Sequence, residues 1–261
     1  MKRVVLTGIT GKVAQALVRQ LTGVYDISGV SIVRMDQVLA QGGFSTWAEQ
    51  LGAYRALVME QLTTAFTGQD AVAHLGWNTR DENCGRGLDP LNVFVTDCVY
   101  AAALATRVPR LYLASSVHAY DFYRDRAPDA EPSGPWPEVD QDPFGWPPTS
   151  LYGVSKRWME IAGQFYARRL APDQKILVVR LGDVSRDGRP HHAELRLWDR
   201  HADLAGLFRA FVECPAEAPA YFCAYGVSDN HGEGSPRPLL DPVNPYGFVP
   251  GGNAFAETDR R

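Results

Sequence analysis

Four cysteines occur in 261 residues, and Cys84, Cys98, Cys214 and Cys223 lie far apart. With no Cys-x-x-Cys pair and no zinc spacing, the sequence argues against a disulfide framework or a metal site. It points instead to free thiols in a reducing cytoplasm. No apolar run approaches the ~20 residues of a membrane-spanning helix. The opening Met1-Lys2-Arg3-Val4-Val5-Leu6 leads straight into a strand rather than a signal-peptide core. Positive charge is also short. Lys and Arg total 26 against 30 Asp and Glu, a net charge of −4, which disfavours a broad cationic surface for nucleic acid or anionic lipid. Internal repeats and low-complexity tracts are missing. What is present is 45% hydrophobic and 21% charged residues, enough apolar material for a sizeable core.

Strand-like and helix-like segments alternate along the chain. Val4-Val5-Leu6 is an apolar run ending in Thr7-Gly8, and Val13, Leu17 and Leu21 share one face of a helical stretch from Lys12 to Leu21. Val30–Val33 reads as a second strand and Ala71–Leu75 as another. Residues 37–69 between them hold a poorly marked strand. Asn92–Arg107 reads as a helix, Leu111–Ala114 as a strand, Leu151–Arg169 as a helix and Lys175–Leu181 as a β-branched strand. His201–Glu213 and Ala220–Tyr225 follow as helix and strand. This alternation predicts an α/β fold, a doubly wound parallel sheet of Rossmann type covered on both faces. Residues 121–150 differ: Pro128, Pro132, Pro135, Pro137, Pro143, Pro147 and Pro148 exclude a regular element. A long irregular loop between two chemistry-bearing segments reads as a pocket wall or lid.

Thr7-Gly8-Ile9-Thr10-Gly11-Lys12-Val13-Ala14 carries small residues where a dinucleotide-binding turn needs them. Gly8 turns the chain off the strand, Gly11 admits a pyrophosphate close to the backbone, and Ala14 lets the helix pack on the sheet. The helix start then presents free N–H groups to the anion. An acid near the end of the second strand selects NAD, and an arginine there favours NADP. Val33-Arg34-Met35-Asp36 offers both; we read Asp36 as the ribose ligand and NAD as the coenzyme, with NADP left open by Arg34.

Tyr152-Gly153-Val154-Ser155-Lys156 places a phenol and an ammonium at i and i+4, on one helical face. The ammonium stabilises a phenolate, and such a pair can take the proton of an alcohol while a hydride leaves the same carbon. Upstream, Leu111-Tyr112-Leu113-Ala114-Ser115-Ser116 ends a strand in two hydroxyls, at the edge of a parallel sheet where ligands bind. Turn chemistry is the competing account of Ser115 and Ser116.

Together these pieces resemble the extended short-chain dehydrogenase/reductase superfamily, of the NAD-dependent epimerase/dehydratase type. The resemblance runs through Thr7-Gly8, Gly11, Ala14, His74-Leu75-Gly76, Asn92, Ser115-Ser116 and Tyr152 with Lys156. Within it, Leu151–Lys156, Ser115–His118, Arg180-Leu181-Gly182, Trp198, Tyr225–Asn230 and Tyr246–Pro250 look most like the short members that oxidise free sugars, the uronate dehydrogenases.

The resemblance implies that Tyr152 is the general base, that Lys156 binds the nicotinamide ribose, and that Ser116 orients the sugar hydroxyl. It implies coenzyme contacts from Gly8, Thr10, Gly11, Lys12, Val13, Arg34, Asp36, Leu75, Gly76, Trp77, Ala114, Ser115 and Leu181, with Asn92 in the helix that supports Lys156. Substrate contacts would come from Thr79, Ser116, Val117, His118, Asp183, Arg189 and Arg196, with no metal. His74 and His118 read equally well as satisfied core histidines, and Arg189 and Arg196 as surface residues.

The chain departs from the pattern at Val117, where an amide is expected, at Asp183, which replaces a serine, and at Trp77, which replaces a glycine. Arg55 stands where an acid would meet the adenine. The implied protein is one domain over residues 1–261, with residues 183–261 as a reduced substrate-binding portion interleaved with the sheet. It would be a homo-oligomer transferring a hydride between the anomeric carbon of a free sugar or uronic acid and the coenzyme, giving a lactone. The alternatives are a reductase or epimerase of another small polyol or ketone, and a non-catalytic NAD(P)-sensing regulator.

Overall fold

The computed structural model describes residues 1–77, 90–120, 148, 150–232 and 238–258. Thr79, Cys84 and nearly all of the proline-rich 121–150 segment lie outside them. The strands are β1 (Arg3–Thr7), β2 (Asp26–Val30), β3 (Ala71–His74), β4 (Arg110–Ser116), β5 (Lys175–Leu181) and β6 (Tyr221–Gly226). They form a six-stranded sheet in the order β2-β1-β3-β4-β5-β6, and every pairing is parallel. The helices are α1 (Lys12–Leu21), α2 (Met35–Leu39), α3 (Trp47–Phe66), α4 (Pro90–Ala105), α5 (Leu151–Ala167), α6 (His201–Val212) and α7 (Ala254–Thr258). The expected doubly wound α/β fold is what forms.

The strand composition explains the layering. All residues of β3 and β5 are buried, as a parallel sheet covered on both faces requires. On one face Leu17 and Leu21 of α1 and Leu204, Phe208 and Phe211 of α6 close over Val4, Leu6 and Tyr112. On the other, Tyr54, Val58, Leu62 and Phe66 of α3 join Val99 of α4 and Met159 of α5 over Val5, Val72 and Leu113. Strand order reverses between β1 and β3. That switch point opens a crevice at the carboxyl ends of the strands.

Two expectations are corrected. The second strand is Asp26–Val30, not Val30–Val33, because its register runs from Arg3↔Asp26 to Thr7↔Val30 and ends where β1 ends. Ile32 and Val33 pack as loop against the α3 layer instead. Residues 37–69 hold no strand. Thr46 accepts from the backbone of Glu49 and starts the 20-residue α3, whose Tyr54, Val58, Leu62 and Phe66 recur every turn on the buried face. Arg55 therefore sits inside α3, ahead of β3 rather than after it, and bonds Asp97 of α4 at 2.8 Å.

The chain beyond β6 is tied down by side chains. Asp203 of α6 accepts from the backbone of Gly251 and Gly252 and from the Ser228 hydroxyl. Asn230 donates to the Trp198 carbonyl and accepts from Ala254. Cys98, Cys214 and Cys223 are free. No helix among the described residues is long and apolar enough to cross a membrane.

Asp199 is a cost to this fold. It is 1% exposed, and neither its Oδ2 nor the hydroxyl of nearby Tyr112 has a hydrogen-bond partner among the described residues. Burial, and then Asp203 and Asp183, push its carboxyl well above the usual range. The folded chain holds a proton that the unfolded chain releases near pH ~4. Stability therefore falls as pH rises from there through the raised folded value, and the penalty is complete above it. Asp199→Asn is expected to add about 1–2 kcal/mol at a pH above that window and to flatten this part of the pH dependence. Calorimetric melting across a pH series checks it.

Candidate active site

Because all strands run the same way, Thr7, His74, Ser116 and Leu181 end on one edge of the sheet. The chain turns off β1 at Gly8 with φ +67°, and a Cβ there would stand 2.5 Å from the Gly76 Cα. Only glycine lets the β1 and β3 turns approach this closely. Gly11 donates to the Gly8 carbonyl at 2.9 Å and begins α1 with no side chain capping the first turn. The N–H groups of that turn are thus left for an anion. Thr10, Gly11 and Lys12 are exposed there, and Ala14 is fully buried against the sheet. This cradle fits a dinucleotide.

Under the cradle runs a buried polar chain. The Thr7 hydroxyl oxygen accepts from the backbone of Leu75 at 3.2 Å and of Gly76 at 3.1 Å, and lies 2.8 Å from His74 Nδ1. With its acceptor positions used, Thr7 donates its own hydrogen to Nδ1, so the ring proton is on Nε2 and goes to Thr96 Oγ1 at 3.2 Å. Thr96 passes its hydrogen to the Asn92 carbonyl at 2.8 Å. Burial, with Lys156 adding to it, pulls His74 down to about 3. His74 is a neutral structural link that fixes the Leu75–Gly76 turn and ties it to α4, which carries Asn92.

Helix α5 supplies the proton-transfer pair. Ser150 caps it by accepting from the backbone of Gly153 at 3.1 Å. A Cβ on Gly153 would lie 2.2 Å from the His118 carbonyl oxygen, so glycine there lets α5 press against the 3₁₀ turn Val117–Ala119. That approach sets the His118 ring edge-on to Tyr152, centroids 6.1 Å apart. Lys156 is 3% exposed and donates to the Ala114 carbonyl at 2.8 Å. Its Nζ lies 5.6 Å from the Tyr152 ring centroid and 3.6 Å from that of Trp77. Ser116 Oγ accepts from the His118 backbone at 3.2 Å. The structure thus brings together Tyr152, Lys156, Ser116, His118, Ala114 and Trp77 beside the glycine cradle.

The other sequence-nominated residues are placed as follows. The Ser115 hydroxyl donates to Glu160 at 2.8 Å, inside the sheet–helix layer. Val117 is 3% exposed and packs with Leu197, Val227 and Leu240. Asp36 lies beyond the end of β2 in the first turn of α2, and the Arg34 guanidinium grips both its oxygens. Asp183 is met by Lys12 from the glycine turn at 3.7 Å, so its charge is partly compensated. Leu181 is buried at the end of β5, and Arg189 and Arg196 are exposed.

Sequence reasoning missed the ion pair of Glu160 with Arg180. Both are under 10% exposed by side chain, and they join at 2.7 and 2.9 Å. Tyr120 and Tyr225 flank the Arg180 guanidinium. A signal existed: Glu160 falls one turn after Lys156 on the same helical face, and Arg180 interrupts the apolar run from Ile176 to Leu181.

A parallel α/β sheet with a glycine turn at its switch point and a tyrosine–lysine helix beside it defines a dinucleotide-binding enzyme fold. The chain belongs to the NAD dependent epimerase/dehydratase family, whose model matches residues 4–200. It is 29% identical over 234 residues to an NAD-dependent glucose-6-phosphate dehydrogenase of Haloferax volcanii, covering 87% of this chain and 85% of that one. A uronate dehydrogenase of Pseudomonas putida is 27% identical over 238 residues, covering 87% and 77%. Among solved structures, a point mutant of uronate dehydrogenase from Agrobacterium tumefaciens complexed with NAD superposes with a TM-score of 0.68. It is 20% identical, with 100% of this chain and 88% of that chain covered.

Proposed function

We propose that the protein is a dehydrogenase of a small free sugar or sugar acid, converting the anomeric alcohol into a lactone with NAD as oxidant. The observation that carries this reading is that Tyr152 and Lys156 stand together, Lys156 against Trp77 just after the Gly76 turn that abuts Gly8. Lys156 is anchored at the end of β4, and the glycine cradle lies across the switch point.

Gly8, Gly11 and the open first turn of α1 hold the coenzyme diphosphate, with Thr10, Lys12 and Val13 around it. Leu75, Gly76, Ala114 and Leu181 frame the crevice. The bound coenzyme supplies the hydride acceptor. Lys156 holds the ribose hydroxyls, and its charge stabilises the Tyr152 phenolate. Ser116 orients the sugar hydroxyl, and Tyr152 Oη takes the hydroxyl proton as the carbon–oxygen double bond forms and the anomeric hydrogen leaves as hydride. His118, beside the Tyr152 ring, lines the pocket. Because Lys12 offsets Asp183, an anionic sugar meets less repulsion than that carboxylate alone would exert. Arg189 and Arg196 are the cations on the neighbouring segment for its acidic end.

The experiment is to incubate the protein with NAD⁺ and, separately, galacturonate, glucuronate, neutral aldoses and aldose phosphates. Reduced nicotinamide is followed by absorbance and the sugar product by mass spectrometry. The expected result is coenzyme reduction matched mole for mole by a product two hydrogens lighter than the sugar. No reduction with any of them overturns the reading.

The cradle is tested separately. Gly8→Ala puts a methyl against Gly76 in a backbone conformation that costs L-residues about 1–2 kcal/mol. It is expected to weaken NAD⁺ binding roughly tenfold or more, as calorimetric titration would show.

A further inference from the structure

We propose that Trp77 is a positioning residue for the proton-transfer pair, its indole face holding the Lys156 ammonium in place and shielding it from water. The proposal rests on the reading of Tyr152 and Lys156 given above and adds a residue to it. Trp77 follows the Leu75–Gly76 turn that Thr7 pins, and it packs at the border of the α3–α4–α5 core layer. That anchoring presents the ring to Lys156 Nζ at 3.6 Å from its centroid, well inside the ~6 Å range of a cation–π contact.

The setting gives the contact weight. Lys156 is buried, and a buried ammonium is costly unless its charge and donors are met. The neighbouring groups divide clearly. Ala114 on β4 accepts one N–H. His74 on β3 is neutral and engaged with Thr7 and Thr96. Glu160, one turn along α5, is engaged by Arg180 and Ser115. Arg157, the next residue on α5, lies over the Tyr120 ring. The Tyr152 ring centroid lies 5.6 Å from Nζ, with His118 against that ring. The negative face of Trp77 stabilises the charged form of Lys156 from the direction of the coenzyme turn. Lys156 in turn stabilises the Tyr152 phenolate. An aliphatic residue at this place would fill space without supplying that field.

The test compares wild type, Trp77→Phe and Trp77→Leu by tyrosinate absorbance as a function of pH, without substrate, each against the same protein carrying Tyr152→Phe as blank. The Tyr152 signal is expected to move about one pH unit higher in the leucine variant, with phenylalanine in between because it keeps a weaker ring. The acid limb of kcat/KM is expected to move the same way. An unmoved titration, or phenylalanine and leucine behaving alike, overturns the proposal. Should the leucine variant fail to fold, the phenylalanine variant alone decides, since its titration either shifts upward or stays at the wild-type value. Because the titration needs no sugar, failure of the Trp77 assignment is distinguishable from failure of the dehydrogenase reading.

Discussion

Tyr152→Phe is expected to lower kcat by ~10²–10⁴-fold while leaving NAD⁺ affinity within a factor of a few. The substitution removes one oxygen from a ring whose position is set elsewhere: by Ser150 capping α5, by Gly153 pressing on the His118 carbonyl, and by the ring contact with His118. The glycine cradle and the Lys156–Ala114 bond do not depend on that oxygen. Binding and turnover should therefore separate. Steady-state kinetics beside calorimetric NAD⁺ titration checks this. A protein that merely senses the coenzyme would be indifferent to the change.

The second large effect is on stability. Glu160→Ala leaves the Arg180 guanidinium, 8% exposed by side chain, without its carboxylate, and the Ser115 hydroxyl without its acceptor. Arginine cannot escape by losing its proton, so the loss is expected to be about 3–5 kcal/mol. For a chain of this size that lowers the melting temperature by roughly 10 °C or more. Replacing both partners by methionine removes the buried charge together with its counter-charge and is expected to restore most of that loss. A thermal-melt series on the single and double variants measures the recovery. A double variant no better than the single would mean that the pair itself, rather than the orphaned cation, holds β5 to α5.

Much of this was legible in the sequence where the signal is local. The β1 run, its glycine turn and the periodic α1 announce themselves because each residue's role depends on neighbours a turn away. Tyr152 and Lys156 share a face by helical geometry alone. The failures are equally physical. Strand β2 reads Asp26-Ile27-Ser28-Gly29-Val30 and lies at the sheet edge with most of its side chains outside the core, so apolar periodicity pointed instead to the adjoining Ile32 and Val33, which pack as loop. Helix α3 was missed although Thr46 and Glu49 spell its start. Partly buried Ala53, Leu57 and Met59 widen its apolar face and blur the period. Ser115 and Ser116 are adjacent in sequence, yet alternation along β4 separates their partners, which only the packed helix reveals. The Glu160–Arg180 pair joins residues on different elements, so local patterns mark each residue as unusual but do not encode the pairing.

The most direct measurement of the central claim uses a sugar substrate deuterated at its anomeric carbon, incubated with the protein and NAD⁺. Nuclear magnetic resonance then locates the deuterium. The account predicts that it resides on the nicotinamide ring of the reduced coenzyme, in amounts equal to the lactone formed. Deuterium found only on sugar, whether at its original carbon or in a stereoisomer with no net coenzyme reduction, would contradict it.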